Sequence, residues 1–359
     1  MRVIRSCLGV FALACCLLGA GCGNKSTSSP PAGTGGQTGT GGAGSGGQPG
    51  SGGATGSGGA TGSGGKGGTV TGGASGTGGA TGSGGASGDA SVSPVGDAPS
   101  GCNNMAPATG VLSAQTIAVG GKARTYVLSV PNTYTSSTPL PVVFAWHGMG
   151  GSGSGARGYF GIEAAAGKGA IFVYPDGLAS GDAGAGWDLA STGIDVAMFD
   201  ALVAYLAATY CIDSNRIFST GHSFGAMFTN ALGCYRGDVL RAIAPVAGMP
   251  PSSYGRTVTC AGNVGAWIAH GENDTTVDYT TGGIASRDFW IKQNGCSTTS
   301  AANGTTGCVA YQGCQPDLPV VWCIHDEGHN WPTATRGCPD GGICFDAGPA
   351  IWAFFASFK

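Results

Sequence analysis

A long glycine-rich segment limits which part of this chain can fold. Between Asn24 and Ala90 the sequence consists mainly of Gly, Ser, Thr and Ala in loose TGGA and TGSGG repeats, without any aromatic residue. Such a stretch buries too little apolar surface to offset the conformational entropy lost on ordering. We therefore expect residues 23–100 to form a flexible linker and residues 101–359 to form a single folded domain.

Residues 1–22 have the pattern of an export signal. A short basic region precedes an apolar run from Cys7 to Leu18, which is too short for a stable membrane span, and small residues follow it. The segment also resembles a bacterial lipoprotein signal, in which Cys22 would become the lipidated first residue. Such signals usually carry Leu where this chain has Gly19, so cleavage and release is the alternative. The predicted location is extracellular, or the surface of a bacterium as a lipoprotein.

The cysteine content agrees with export. The chain has 14 cysteines, and the ten that follow Cys22 form an even set, which favours a disulfide-stabilised domain. A structural zinc site is the competing interpretation, but the spacings lack paired CxxC units and no His lies beside them. The short loops Cys314–Cys323 and Cys338–Cys344 suggest two bridges, while the full connectivity stays open.

Composition and motifs argue against several classes of partner. The net charge of −3 lacks the basic excess typical of nucleic-acid binders, so we expect no nucleic-acid partner. The glycine-rich segment Trp146–Gly151 matches neither the P-loop nor the dinucleotide-binding pattern. We therefore expect neither a nucleotide cofactor nor a metal.

Short apolar segments alternate with helical ones after Cys102. This pattern predicts an α/β fold with a mainly parallel sheet and helices on both faces. The predicted strands are Thr125–Val130, Pro141–Trp146, Ala170–Tyr174, Arg216–Thr220, Ala242–Ala247, Ala266–Ala269 and Val320–Ile324. The predicted helices are Asp195–Tyr210, Ala226–Leu232 and Ala350–Phe355. We expect the first strand to be half-exposed and Asp195 to cap the first helix.

The motif with the clearest chemistry is Gly221–Gly225, which reads GHSFG. It matches G-x-S-x-G and lies between a predicted strand and a predicted helix, as a nucleophile elbow requires. Flanking glycines let the backbone turn sharply and leave the Ser223 hydroxyl exposed. A chance match in an ordinary loop is the alternative, which the strand-to-helix context disfavours.

A serine nucleophile needs a histidine base and an acid that orients it. In hydrolases with this elbow the order along the chain is Ser, acid, His, which leaves His325 and His329 as bases. We favour His329 because it lies in a loop, and interpret His325 as structural. For the acid, Asp274 follows a buried strand and is favoured over Asp278 and Glu272.

The transition state of ester cleavage carries an oxyanion, which backbone amides can stabilise. We predict that Phe224 supplies one amide and that the turn at Gly148 and Met149 supplies the second. Four residues near these motifs are candidates for substrate contact, with core packing as the alternative: His147, Trp146, Trp187 and Trp331.

Together these motifs resemble the secreted feruloyl and acetyl xylan esterases of carbohydrate esterase family one, and the related polyhydroxybutyrate depolymerases, within the α/β-hydrolase superfamily. The matching stretches are WHGMGGSG from Trp146, YPDG from Tyr174, GHSFGAMFTNALGC from Gly221, RAIAPVAG from Arg241, HGENDTTVDY from His270 and VWCIHDEGHNWP from Val321. The resemblance implies cofactor-free hydrolysis of carboxylic esters on plant polysaccharide or a polyester, through an acyl-enzyme on Ser223 with Asp274 and His329.

Other functions remain open at this point. A polyhydroxybutyrate depolymerase or a general short-chain esterase would use the same triad, and so would a serine peptidase. A non-catalytic surface binder could share the fold. The linker suggests a tether that lets the domain reach a polymeric substrate, and the sequence leaves the oligomeric state undetermined.

Overall fold

The computed structural model describes residues 101–105, 107–179, 184–334, 342 and 344–359. The predicted signal (1–22) and linker (23–100) lie outside the described residues. Within those ranges, no helix combines the length and apolarity needed to cross a bilayer.

The described part of the chain forms twelve strands and six α-helices. The strands are β1 (Gly110–Val119), β2 (Lys122–Val130), β3 (Leu140–Trp146), β4 (Ile171–Pro175), β5 (Leu178–Ala179), β6 (Ala185–Gly186), β7 (Ile212–His222), β8 (Ala242–Val246), β9 (Gly265–Gly271), β10 (Ser300–Ala302), β11 (Cys308–Tyr311) and β12 (Val320–His325). The α-helices are α1 (Gly153–Phe160), α2 (Ile162–Ala166), α3 (Ile194–Thr209), α4 (Phe224–Tyr235), α5 (Ala285–Gln293) and α6 (Ala347–Ala356). A 3₁₀ turn (Ser253–Gly255) and a π-helix (Tyr279–Ile284) complete the helical segments.

Ten strands form one sheet in the order β1-β2-β4-β3-β7-β8-β9-β12-β11-β10. The six strands from β4 to β12 in this order are parallel, and antiparallel strands flank them on both sides. The predicted mainly parallel sheet is therefore confirmed. Because parallel strands end at one edge, the loops after β3, β7, β9 and β12 lie together there.

Helices cover both faces of the sheet, as predicted. Alternate residues of β3 show this arrangement: Phe144 belongs to the core beneath α3 and α4, and Val143 belongs to the core beneath α1, α2 and α6. Burial of both faces explains why the central strands are continuously apolar.

Each predicted strand and helix is present, with shifts at the ends, but two details were wrong. The strand β2 is not half-exposed, because Val127 and Ser129 are buried and the Ser129 hydroxyl donates to Glu163 of α2 at 2.8 Å. Asp195 is not the cap of α3, which is Gly193. The Asp195 carboxylate instead forms a fully buried ion pair with Arg124 at 2.5 Å.

Four disulfides join Cys102 to Cys211, Cys234 to Cys260, Cys296 to Cys314 and Cys308 to Cys323. The suggested Cys314–Cys323 bridge is wrong because Cys323 lies directly opposite Cys308 in the antiparallel β11–β12 pair. Cys344 is also disulfide-bonded, while Cys338 lies outside the described residues.

We expect Arg124→Ala to destabilise the domain by about 3–5 kcal/mol, because the buried Asp195 carboxylate would lose its only cationic partner in the described part of the chain. Urea denaturation measures this loss. Asp288→Ala is the control, since Asp288 is 58% exposed in its pair with Arg287 and should cost less than about 1 kcal/mol. Similar small losses in both variants would contradict the structural role of the buried pair.

Candidate active site

The turn between β7 and α4 places Ser223 in a strained conformation. Its φ is 57° and its ψ is −119°, a region that non-glycine residues rarely occupy. The neighbouring backbones approach so closely that a Cβ on Gly225 would lie 2.1 Å from the Trp146 carbonyl oxygen. A Cβ on Gly221 would lie 2.4 Å from the Gly225 carbonyl oxygen. Both glycines of the motif are therefore required for this turn to close.

The structure brings Ser223, His329 and Asp274 together in one chain of hydrogen bonds. The His329 Nε2 atom lies 2.7 Å from the Ser223 Oγ atom, and its Nδ1 atom lies 2.7 Å from the Asp274 Oδ2 atom. A carboxylate accepts, so Nδ1 carries the proton and Nε2 is free to take the proton of the serine hydroxyl.

The Asp274 carboxylate is buried and held from both sides. Its Oδ1 atom accepts hydrogen bonds from the Thr276 and Val277 amides, each at 2.9 Å. The His270 Nε2 atom donates to the Val277 carbonyl at 2.8 Å and lies 3.3 Å from the Asp274 Oδ2 atom. These contacts fix the carboxylate in the position that orients His329.

The residues that the sequence analysis did not favour as acid or base do not join this chain of hydrogen bonds. Asp278 caps the π-helix by accepting from the Thr281 amide at 2.8 Å, and Glu272 is exposed. His325 is fully buried, and neither ring nitrogen has a hydrogen-bond partner among the described residues. Burial lowers the pKa of His325 to about 4, so this histidine is a neutral core residue.

The loop after β3 passes directly beside the nucleophile. A Cβ on Gly148 would lie 3.3 Å from the Ser223 Cβ atom, so the following Met149 amide is close to the reacting centre. On the other side, Phe224 is the first residue of α4, where backbone amides lack helical acceptors. This arrangement suits the predicted oxyanion donors.

His147 supports this loop and also borders a cavity beside Ser223. It is 1% exposed, its Nδ1 atom donates to the Gly148 carbonyl at 2.7 Å, and its Nε2 atom accepts from the Gly177 amide at 2.9 Å. Burial lowers the pKa of His147, which favours the neutral ring that this donor and acceptor pair requires. These contacts hold His147 against the loop that follows β3.

Two of the predicted substrate-contact tryptophans are core residues. Trp146 is fully buried beneath the sheet edge, and Trp331 stacks on Phe160 with ring centroids 4.0 Å apart. Both indoles therefore fill the interior that supports the loops. Trp187 differs, because it lines a cavity beside Ser223 while its Nε1 atom donates to the His147 carbonyl at 2.8 Å.

Two cavities meet at Ser223. The larger, of about 530 Å³, is lined by Met149, Trp187, Asp188, Leu189, Ser223, Phe224, Met227, Tyr254, Arg256, Thr276 and Val277. The smaller, of about 380 Å³, is lined by His147, Gly148, Met149, Gly151, Ser152, Gly155, Ala156, Tyr159, His222, Ser223, Thr276 and His329. His329 therefore borders the smaller cavity, and the oxyanion loop lies between the two.

Two residues of the smaller cavity were missed by the sequence analysis. The His222 ring stacks on the His329 ring, with centroids 5.2 Å apart, and the Tyr159 hydroxyl lies 3.3 Å from the His222 Nδ1 atom. His222 directly precedes Ser223 in the elbow motif, so the sequence did indicate that it lies near the nucleophile. No motif marked Tyr159, because its position depends on the unpredicted helix α1.

Proteins of similar sequence identify the family to which this chain belongs. Feruloyl esterase D of Neurospora crassa is 31% identical over 261 residues, which cover 67% of this chain and 84% of that protein. The chain belongs to the feruloyl esterase family. Feruloyl esterase C of Emericella nidulans is 32% identical over 246 residues, covering 65% of this chain and 83% of that relative.

Two further comparisons agree with an α/β-hydrolase fold. The model of the prolyl oligopeptidase family matches residues 158–261, which include the elbow. An acetyl xylan esterase structure from Aspergillus awamori superposes with a TM-score of 0.51 at 19% identity, covering 67% of this chain and 98% of that one. The family is therefore that of ester hydrolases on this fold.

We expect Gly148→Ala to lower kcat by about 10-fold or more, because the added methyl group would press against Ser223 and displace the oxyanion loop. The control is Gly158→Ala in α1, where a Cβ would meet no atom within 4 Å, and this variant should retain full activity. Steady-state kinetics on an activated ester compares the two. Full activity of Gly148→Ala would contradict the placement of the oxyanion site.

We expect His325 to make the folded domain less stable in acid. Its pKa is about 4 in the folded protein and about 6.5 when unfolded, so below pH 6.5 the unfolded chain binds the extra proton. Stability should fall between pH 6.5 and 4, by about 3 kcal/mol from this residue. Urea denaturation of His325→Leu should show a flatter pH dependence, and an unchanged slope would contradict this explanation.

Proposed function

We propose that this protein hydrolyses feruloyl esters through an acyl-enzyme on Ser223. The observation that carries the proposal is the hydrogen-bonded arrangement of Ser223, His329 and Asp274 on a strained elbow, with both hydrogen bonds at 2.7 Å. Membership of the feruloyl esterase family supports the ester as the bond that is cleaved.

The first half of the reaction transfers the acyl group to the enzyme. His329 Nε2 takes the hydroxyl proton as Ser223 Oγ bonds to the ester carbonyl carbon, and the carbonyl oxygen becomes an oxyanion facing the Phe224 and Met149 amides. The intermediate collapses by breaking the bond to the alcohol oxygen. The imidazolium, stabilised by Asp274, returns its proton to that oxygen, and the alcohol leaves.

The second half releases the acid. A water molecule in the place of the alcohol gives its proton to His329 and attacks the acyl carbon. The second oxyanion collapses with release of Ser223, which regains its proton. No cofactor takes part in either half.

The position of His329 supports a proposal for which cavity holds each half of the substrate. Because His329 protonates the alcohol, the alcohol lies in the smaller cavity, which His329 borders. The acyl group then lies in the larger cavity, against Trp187, Leu189 and Met227. A flat aromatic acyl group fits a cavity of about 530 Å³ that has these apolar side chains on its wall, whereas an acetyl group would leave most of it unfilled. The volume therefore favours feruloyl over acetyl esters.

We also propose where this protein acts. Four disulfides are typical of proteins in an oxidising, extracellular compartment. We propose that residues 1–22 direct export, with lipidation at Cys22 as one form of it, and that residues 23–100 tether the domain near a polymeric substrate. The polymer we propose is a plant polysaccharide carrying aromatic esters, whose acyl groups enter the larger cavity.

We expect Ser223→Ala to lower kcat on 4-nitrophenyl ferulate by about 10⁴-fold or more, because the acyl group loses its attachment point. The exposed Ser297→Ala is the control and should keep full activity. Nitrophenol release measures both variants, and comparable activity of Ser223→Ala and Ser297→Ala would refute the role of Ser223.

The acyl preference is tested on the unaltered protein. Because 4-nitrophenyl ferulate and 4-nitrophenyl acetate share a leaving group, their kcat/KM values differ only through the acyl group. We expect the ferulate ester to have the higher value. A higher value for acetate would favour an acetyl esterase, hydrolysis of hydroxybutyrate oligomers alone would favour a depolymerase, and cleavage of prolyl peptides alone would favour a peptidase.

A further inference from the structure

The turn between β8 and β9 carries a second strained residue, at the rim of the larger cavity. Tyr254 has φ 57° and ψ 34°, in the left-handed region, and its side chain is 69% exposed. A bulky residue adopts this conformation rarely, and such outliers concentrate where a side chain must be presented in one direction. Here the turn presents Tyr254 and, two residues later, Arg256 to the cavity that contains Ser223.

Arg256 differs from the other arginines in the described part of the chain. Five of them pair with a carboxylate, and Arg241 donates to the Asp317 carbonyl at 2.8 Å. Across the described ranges, Arg256 has neither type of partner for its guanidinium. Its guanidinium carbon lies 5.6 Å from the centroid of the Tyr254 ring, which faces it. The ring therefore restricts the position of the Arg256 guanidinium, whose N–H groups have no carboxylate or carbonyl partner among the described residues.

The cavity also contains a carboxylate that can accept further hydrogen bonds. Asp188 is exposed, and its Oδ1 atom accepts from the Ala190 amide at 3.0 Å. No basic side chain pairs with Asp188 within the described residues. The larger cavity thus combines apolar walls with one cationic donor group and one acidic acceptor group.

We propose that Arg256, held by Tyr254, is a specificity-determining residue that donates hydrogen bonds to oxygen substituents on the ring of an aromatic acyl group. This inference rests on the proposed function, because it places the acyl group in the larger cavity. Methoxy and phenolic oxygens accept hydrogen bonds, and a guanidinium offers several donors in a fixed plane. Asp188 is an acceptor for a phenolic proton in the same cavity. The preferred acyl groups are oxygenated cinnamoyl groups, in preference to unsubstituted cinnamoyl.

Two methyl esters test this proposal on the full-length protein. Methyl ferulate and methyl cinnamate share the alcohol and the propenoyl chain, and differ only in the ring oxygens. Arg256→Ala should lower kcat/KM for methyl ferulate by about 10-fold or more, and for methyl cinnamate by less than about 3-fold. Arg287→Ala, which removes an arginine outside the cavity, should leave both values unchanged.

A second variant separates recognition from folding. Tyr254→Gly accepts the left-handed backbone and removes only the ring that holds Arg256, so it should also lose discrimination between the two esters. Equal losses on both esters in both variants would overturn the proposal while leaving the esterase function intact. Hydrolysis of neither methyl ester by the unaltered protein, with 4-nitrophenyl acetate still cleaved, would overturn the feruloyl assignment as well.

Discussion

The structure depends on the close contact of three backbone segments at the elbow. The end of β7, the start of α4 and the end of β3 approach so tightly that only glycine fits at Gly221 and Gly225. This contact holds Ser223 at a positive φ, with its hydroxyl 2.7 Å from the His329 Nε2 atom. It also places the loop after β3 beside Ser223, so one packing constraint positions both the proposed nucleophile and the proposed oxyanion donors.

The parallel sheet supplies the remaining geometry. The strands β7, β8, β9 and β12 are neighbours, and their carboxyl ends lie at one edge. Ser223 follows β7, Asp274 follows β9 and His329 follows β12, so residues more than 100 positions apart meet within hydrogen-bonding distance. Buried aromatic residues near this edge, such as Trp331 stacked on Phe160, support the loops. The fold thus creates two cavities of different character on either side of one serine.

Much of this arrangement could be predicted from the sequence, because its signals are local. Continuous apolar runs identified the central strands, and the elbow motif with the order Ser, acid, His selected the residues that meet. The pairing of Cys308 with Cys323 and the partner of Asp195 could not be predicted, since each depends on register or on contacts between distant segments. The burial of Trp146 and Trp331 could not be predicted, because an indole near a motif has the same sequence signature in the core as in a binding site. No sequence motif marked Arg256, because its significance is that it has no carboxylate partner among the residues that the structure describes.

Direct detection of the acyl-enzyme tests whether Ser223 is the nucleophile. The unaltered protein would be mixed with 4-nitrophenyl ferulate, quenched in acid within the first turnovers, digested and mapped by mass spectrometry. We expect a feruloyl group on the peptide that contains Ser223, formed together with a burst of nitrophenol. A feruloyl group on another residue, or rapid turnover in which no peptide is modified, would contradict nucleophilic attack by Ser223.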